Sequence, residues 1–171
     1  MYDKFSEEEF GKIIYENQAL ILKVCNIYCH NQPDRDDLFQ DITINLWKGL
    51  PSFKGDSKLT TWIYRVSLNT AISRFRRRRK LNFIDIEEVQ DLKADQIEGH
   101  KSDSEYRIRA LHYGIEKLKP VEKAIILLYL EDKSYDEIAE IIGISKSNVS
   151  VRLVRLKRKL EKIIKPILNE K

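Results

Sequence analysis

The sequence predicts an all-α protein of two small helical domains joined by a flexible acidic linker, the C-terminal domain carrying a helix-turn-helix. Three observations lead there. Only 6 Gly and 4 Pro occur in 171 residues, too few for the tight turns of an all-β domain or for a glycine-rich phosphate loop. Apolar residues recur at three- and four-residue steps along most of the chain, as amphipathic helices require. Charge is also segregated. Residues 65–80 carry seven basic and no acidic side chains, 81–106 two basic and eight acidic, and 146–171 nine basic and two acidic. Two basic patches, each ending an amphipathic helix, point to a chain that meets a polyanion at two places.

The first helix opens at Ser6, whose spacing from Glu9 is that of a capping box. Phe10, Ile13, Ile14, Leu20, Ile21, Val24, Cys25 and Tyr28 then follow near helical spacing up to Pro33. A second helix is expected from Asp34 to Leu50. Its inward stripe is Leu38, Ile42 and Leu46, with Asp36, Asp37, Gln40, Asp41, Asn45 and Lys48 on other faces. Those polar faces suit either plain solvation or docking of a basic partner. A polar loop, Ser52 to Lys58, leads into a third helix with Leu59, Trp62, Ile63 and Val66 inward and Asn69 and Thr70 continuing that face. This helix ends in Arg74-Phe75-Arg76-Arg77-Arg78-Arg79-Lys80, more positive charge than a helix dipole alone can use. The loop aromatic Phe53 beside a basic helix supplies the parts for holding phosphates and stacking an unpaired base.

Residues 81–104 lack a sustained helical period and collect Asp85, Glu87, Glu88, Asp91, Asp95 and Glu98. They read as the linker between a domain of residues 1–80 and one of residues 105–171, and at full extension would reach roughly 80 Å. Beyond them a helix over 105–118 is expected to bury Ile108, Leu111, Ile115 and Leu118. Pro120 then opens an almost wholly apolar core helix. Ser134 to Val149 reads as a helix-turn-helix. Ala139 is small at the helix crossing, Gly143 suits a left-handed turn, Ser145 can cap the second helix, and Ile138, Ile142, Ile144, Val149 and Leu153 fill the wedge. With Val149, Leu153, Leu156 and Leu160 inward, Lys146, Ser147, Asn148, Val151, Arg152 and Arg155 are left to face a major groove. Arg158, Lys159 and Lys162 lie further along, toward phosphates.

Other functions find little support. The longest apolar run, Ala124 to Leu130, is seven residues, far short of the roughly 20 a membrane-spanning helix needs. The acidic N-terminus does not resemble a signal peptide, so a cytoplasmic protein without membrane insertion is expected. Cys25, Cys29 and His30 form the best metal candidate, but two cysteines on one helical face read better as core. No nucleophile, metal-binding carboxylate cluster, P-loop or dinucleotide fingerprint is assembled, so neither a cofactor nor an enzymatic activity is expected.

The ordered set of motifs resembles the extracytoplasmic-function (ECF) sigma factors of bacterial RNA polymerase over about residues 6 to 165. It comprises Asp36-Asp37-Leu38-Phe39-Gln40-Asp41 with Trp47, then Phe53-Lys54-Gly55-Asp56, then Thr61-Trp62-Ile63-Tyr64-Arg65-Val66 with Asn69, and finally Glu137-Ile138-Ala139 through Gly143 to Val149. The resemblance implies a transcription initiation factor that binds core RNA polymerase, recognises promoter −10 and −35 elements and promotes strand opening. It places core-polymerase contacts at Asp37, Leu38, Gln40, Asp41 and Trp47. The −10 DNA contacts fall at Phe53, Lys54, Gly55, Asp56, Ser57, Lys58, Trp62, Arg65, Asn69, Arg76 and Arg77. The −35 contacts fall at Lys146, Ser147, Asn148, Val151, Arg152, Arg155, Arg158 and Lys159. Core RNA polymerase, promoter DNA and an anti-sigma factor are the implied partners. Ser73 stands where the family commonly has an acidic residue. A conventional helix-turn-helix repressor or activator is the alternative, but it leaves the first basic patch without a purpose.

Overall fold

Helix α1 (Glu7–Tyr28) starts where the sequence places its cap. Ser6 Oγ accepts from the Glu9 N–H at 3.1 Å while Glu9 Oε2 accepts from the Ser6 N–H at 2.7 Å, which satisfies two otherwise unpaired donors. The computed structural model describes residues 6–81 and 103–169, and among them every regular element is helical. Most of the acidic stretch read as a linker lies outside the described residues.

Helix α2 (Gln32–Gly49) begins two residues earlier than expected. Asn31 Oδ1 accepts from the Asp34 N–H at 2.8 Å, and Pro33 occupies the first turn, where its missing N–H costs nothing. Leu38, Ile42 and Leu46 are buried as their spacing requires. A single 3₁₀ turn (Leu50–Ser52) and the loop to Lys58 lead into α3 (Leu59–Leu81).

The expected face of α3 packs inward, Ile63 fully buried and Leu59, Trp62 and Val66 partly buried against the core, but the buried surface is wider. Thr61, Tyr64, Ser67, Leu68 and Ala71 are buried as well, and Asn69 is exposed. The reason is that α3 is gripped from two sides, by α1 and α2 and by helices of the C-terminal half. Trp62 also packs toward the loop, against Phe53 and Gly49. A Cβ on Gly49 would stand 3.0 Å from the indole.

In the C-terminal half, α4 (Asp103–Glu116) lies close on the long α7 (Lys146–Asn169). At Gly114 a Cβ would meet Ile164 Cγ1 at 2.9 Å, so glycine permits this approach. Ala110, Gly114 and Ile115 form the buried face and Leu118 closes it. Ile108, expected inward, is 52% exposed, because the packed stripe is set by the small residues at 110 and 114. Helix α5 (Pro120–Leu130) is the buried core helix the sequence anticipates, with Ala124 to Leu128 inside. Helix α6 (Tyr135–Ile142) turns into α7 through Gly143 at φ 78° and ψ 38°.

The two halves pack against each other. Helices α5 and α6 lie on α1 and α3, and one buried apolar cluster runs through both halves. Tyr28 Oη donates to the Pro120 carbonyl at 2.6 Å and Lys123 Nζ to the Ile27 carbonyl at 3.5 Å. Lys23 pairs with Glu131, and His30 Nδ1 lies 3.3 Å from Glu116 Oε1. Lys123 is only 4% exposed at this seam.

Candidate nucleic-acid interface

Helix α2 presents its acidic residues to solvent in part only. Asp37, Gln40 and Asp41 are exposed, whereas Leu38 is buried and Trp47 is half-buried with its ring edge-on to Phe10, centroids 4.9 Å apart. Leu38 and Trp47 therefore shape this face from beneath. The acidic stripe also has a basic partner inside the molecule. Arg74 of α3 donates through Nη1 to Asp41 Oδ2 at 2.6 Å and through Nη2 to Asp37 Oδ2 at 3.3 Å. Arg78 grips both oxygens of Asp34 at 3.0 and 3.1 Å, a bidentate fork. The Arg78 hydrogen bond leads in holding the Asp34 carboxyl below its usual range. Burial alone would lower the Arg74 value, but its bonds to Asp41 and Asp37 outweigh that and raise it.

The loop after α2 holds Phe53 half-buried, tilted on Trp62 at 5.3 Å between centroids. Lys54, Gly55, Asp56 and Lys58 are exposed around it and Ser57 is half-buried. Gly55 sits at φ 82° with open space where a Cβ would be, so the loop turns there at no steric cost. Beyond it α3 carries Arg65 half-buried and Asn69, Arg76 and Arg77 exposed. Arg65 is engaged with the other half, donating to the Glu140 carbonyl at 2.9 Å. Between α2 and α3 an open groove of about 730 Å³ is lined by Asn45 and Lys48 on one side and Asn69, Arg74 and Arg77 on the other.

The second surface is the outer face of α7. Ser145 caps it, its Oγ accepting from the Asn148 N–H at 3.3 Å. Val149, Leu153, Leu156 and Leu160 are buried. Lys146, Ser147, Asn148, Val151, Arg152, Arg155 and Arg158 are exposed, while Lys159 is half-buried and paired with Glu122 Oε2 at 2.7 Å. Lys146 also has an intramolecular partner, Asp136 at 2.7 Å. Geometry thus brings the residues expected at the upstream element onto one helix face, with Lys159 turned toward α5.

Sequence reasoning missed the internal role of Arg74 and Arg78, which it counted only within the basic run. The signal was available as Asp34, Asp37 and Asp41 at steps of three and four, facing Arg74 and Arg78 at a step of four. Cys25 and Cys29 are free and buried. Burial first, then the neighbouring Cys29, pushes the Cys25 thiol up to about 12, which makes it inert core. Among the described residues no helix is long and apolar enough to cross a membrane.

Comparison with known proteins covers both halves. Sigma-70 region 2 matches residues 13–81 and Sigma-70 region 4 matches residues 108–160. The RNA polymerase sigma factor YlaC of Bacillus subtilis is 34% identical over 137 residues, 78% of this chain and 79% of its own length. The ECF RNA polymerase sigma-E factor of Escherichia coli is 28% identical over 96% of this chain and 91% of its own. In fold, the sigma factor RpoE of Bartonella quintana, solved with the anti-sigma factor NepR, superposes with a TM-score of 0.70 over 92% of this chain and 98% of its own, at 20% identity. With two basic surfaces on two helical modules and relatives that span nearly its whole length, the chain belongs to the extracytoplasmic-function group of the sigma-70 family, transcription initiation factors that bind core RNA polymerase and promoter DNA and are not enzymes.

Proposed function

We propose that residues 1–80 form the module that meets core polymerase and the −10 element, that residues 105–171 form the −35 reader, and that 81–104 connect them. Core polymerase docks on the exposed α2 face at Asp37, Gln40 and Asp41, supported from beneath by Leu38 and Trp47. The Phe53 to Lys58 loop receives an unpaired −10 base. Trp62, Arg65, Asn69, Arg76 and Arg77 follow the adjacent duplex. On α7, Lys146, Ser147, Asn148, Val151, Arg152 and Arg155 face the −35 bases, with Arg158 and Lys159 toward phosphates. The observation that carries this reading is the half-buried Phe53, tilted against Trp62 in a loop whose Lys54 and Lys58 are exposed. That arrangement offers an aromatic platform next to cations.

An anti-sigma factor is the third partner in this reading, favoured by the likeness in fold to a sigma factor solved with one. The site of action is the cytoplasm, where bacterial transcription takes place. Run-off transcription by the holoenzyme on paired and pre-melted promoter templates tests the assignment. Phe53→Ala should impair transcription from the paired template, with at least partial rescue on the pre-melted one. Wild-type activity of Phe53→Ala on the paired template would remove the loop from strand opening. Arg152→Ala and Arg155→Ala should each weaken binding of a −35 duplex, about 1–3 kcal/mol where the contact is bidentate. Gln40→Ala with Asp41→Ala should weaken core binding in a pull-down.

A further inference from the structure

Arg74 stands at the seam between the two faces of the N-terminal half. Its strongest partner is Asp41 at 2.6 Å, its second is Asp37 at 3.3 Å, and Asp34 at 3.9 Å is already gripped by Arg78. The exposure of these groups is unequal. The Asp37 and Asp41 side chains are 66% and 50% exposed, that of Arg74 only 24%. A cationic surface approaching α2 therefore reaches the carboxylates before it reaches the arginine. Arg74 also lines the open groove between α2 and α3 together with Asp41 and Arg77, so an anion entering that groove meets the guanidinium beside its carboxylate partner. The carboxylate side of each pair is open to solvent, where ion pairs are weak enough to exchange partners.

We propose that Arg74 is an exchangeable counterion: in the free protein it neutralises Asp37 and Asp41, and when basic groups of core polymerase take those carboxylates it passes to a promoter phosphate. This rests on the reading that α2 faces polymerase and α3 faces DNA. It makes Arg74 a residue that couples the two surfaces, so polymerase binding adds one phosphate contact and, by reciprocity, DNA binding favours polymerase docking. Arg78, held bidentately on Asp34, stays in place and anchors the end of α3.

Salt dependence reads the exchange. In holoenzyme, Arg74→Ala should flatten the slope of log binding constant against log salt for promoter duplex by about 0.9, the value of one phosphate contact. Arg74→Lys should keep the slope and so control for folding. An unchanged slope for Arg74→Ala overturns the proposal. A cycle on the free full-length protein with non-specific duplex checks the cause. Asp37→Asn with Asp41→Asn releases the guanidinium, so adding Arg74→Ala should then flatten the slope by about 0.9, and clearly less in the wild-type background. Equal flattening in both backgrounds overturns the proposal. Failure of the underlying reading looks different. Core affinity in a pull-down would be untouched by Asp41→Ala, whereas failure of the exchange alone leaves that affinity reduced and the salt slope unchanged by Arg74→Ala.

Discussion

Gly143 and Gly11 make a matched pair for measuring what the helix-turn-helix corner costs. Apart from adjacent residues and, for Gly11, its own helix backbone, neither has an atom within 4 Å of the position a Cβ would take, so a methyl group on either meets no packed neighbour. They differ in backbone alone. Gly143 closes α6 at φ 78° and ψ 38°, its N–H and that of Ile144 both donating to the Ala139 carbonyl at 2.9 and 3.2 Å. Gly11 is an exposed residue within α1. A left-handed conformation costs an L-residue about 1–2 kcal/mol, and the loss of unfolded-state freedom on Gly→Ala returns about 0.4–1 kcal/mol. Gly143→Ala should therefore destabilise by about 1 kcal/mol, whereas Gly11→Ala should stabilise by about 0.5–1 kcal/mol. With a urea slope near 2 kcal/mol/M, the midpoints should move about 0.5 M down and about 0.3–0.5 M up. Gly143→Asn should fall between wild type and Gly143→Ala, since asparagine tolerates this region better. Urea unfolding of the three variants at one pH is sufficient. Equal and same-signed shifts for the two alanines would refute the assignment of the cost to backbone conformation.

Ser134→Ala should cost about 1 kcal/mol, since it removes the Oγ that accepts from the Glu137 N–H at 3.2 Å. The Ser134 N–H and then its hydroxyl hold the Glu137 carboxyl below its usual range, so this contribution is complete above the ordinary carboxylate range and lost as pH falls through the lowered value. Urea unfolding at pH 7 and pH 3 should show the gap between variant and wild type narrowing in acid by the share of the hydroxyl bond to the carboxylate, while the share from Oγ accepting the Glu137 N–H persists. Burial lowers the Lys123 pKa against the opposing pull of Glu116. The unfolded chain therefore binds more protons between the lowered value and about 10.5, and stability should rise with pH across that window. Lys123→Met should abolish this rise and be neutral or stabilising at pH 7, and coincident stability profiles from pH 7 to 11 would rule this out. Gly114→Val should overpack the contact with Ile164 and Leu160, costing about 1–3 kcal/mol in a thermal or urea melt, with Ile164→Ala in the same chain recovering part of the loss.

How much of this was legible follows from what each signal can encode. Leu38, Ile42 and Leu46 are read correctly because α2 buries one narrow stripe and its spacing leaves one solution. Ser6, Gly143 and Ser145 are read correctly because caps and left-handed turns are local chemistry. In α3 the same reasoning finds the face of Ile63 but not the full width of what is buried. A helix gripped from two sides needs no clean polar back, and periodicity does not say that Tyr64 and Ser67 are covered by a second layer. Ile108 fails for a related reason, since the close approach of α4 to α7 is decided by Ala110 and Gly114, which carry little apolar weight. At the candidate site, the exposed cations of α7 are legible as an outward face, but Lys159 turning back to Glu122 and Arg74 turning to Asp41 are tertiary pairings between elements far apart in sequence. The packing of α5 and α6 onto α1 and α3 is likewise written in no local pattern.

That seam has a cost attached to undoing it. Drawing the halves apart would wet the phenol of Tyr28 and the apolar flank of α5, strip the Pro120 carbonyl of its donor, and release Lys123 into water and Arg65 from Glu140. The charged groups gain hydration while the apolar surfaces lose burial worth roughly 25 cal/mol per Å², so the balance is set by the hydrocarbon. A partner that holds the two halves at a distance must cover that surface itself, and one that clasps them together need not.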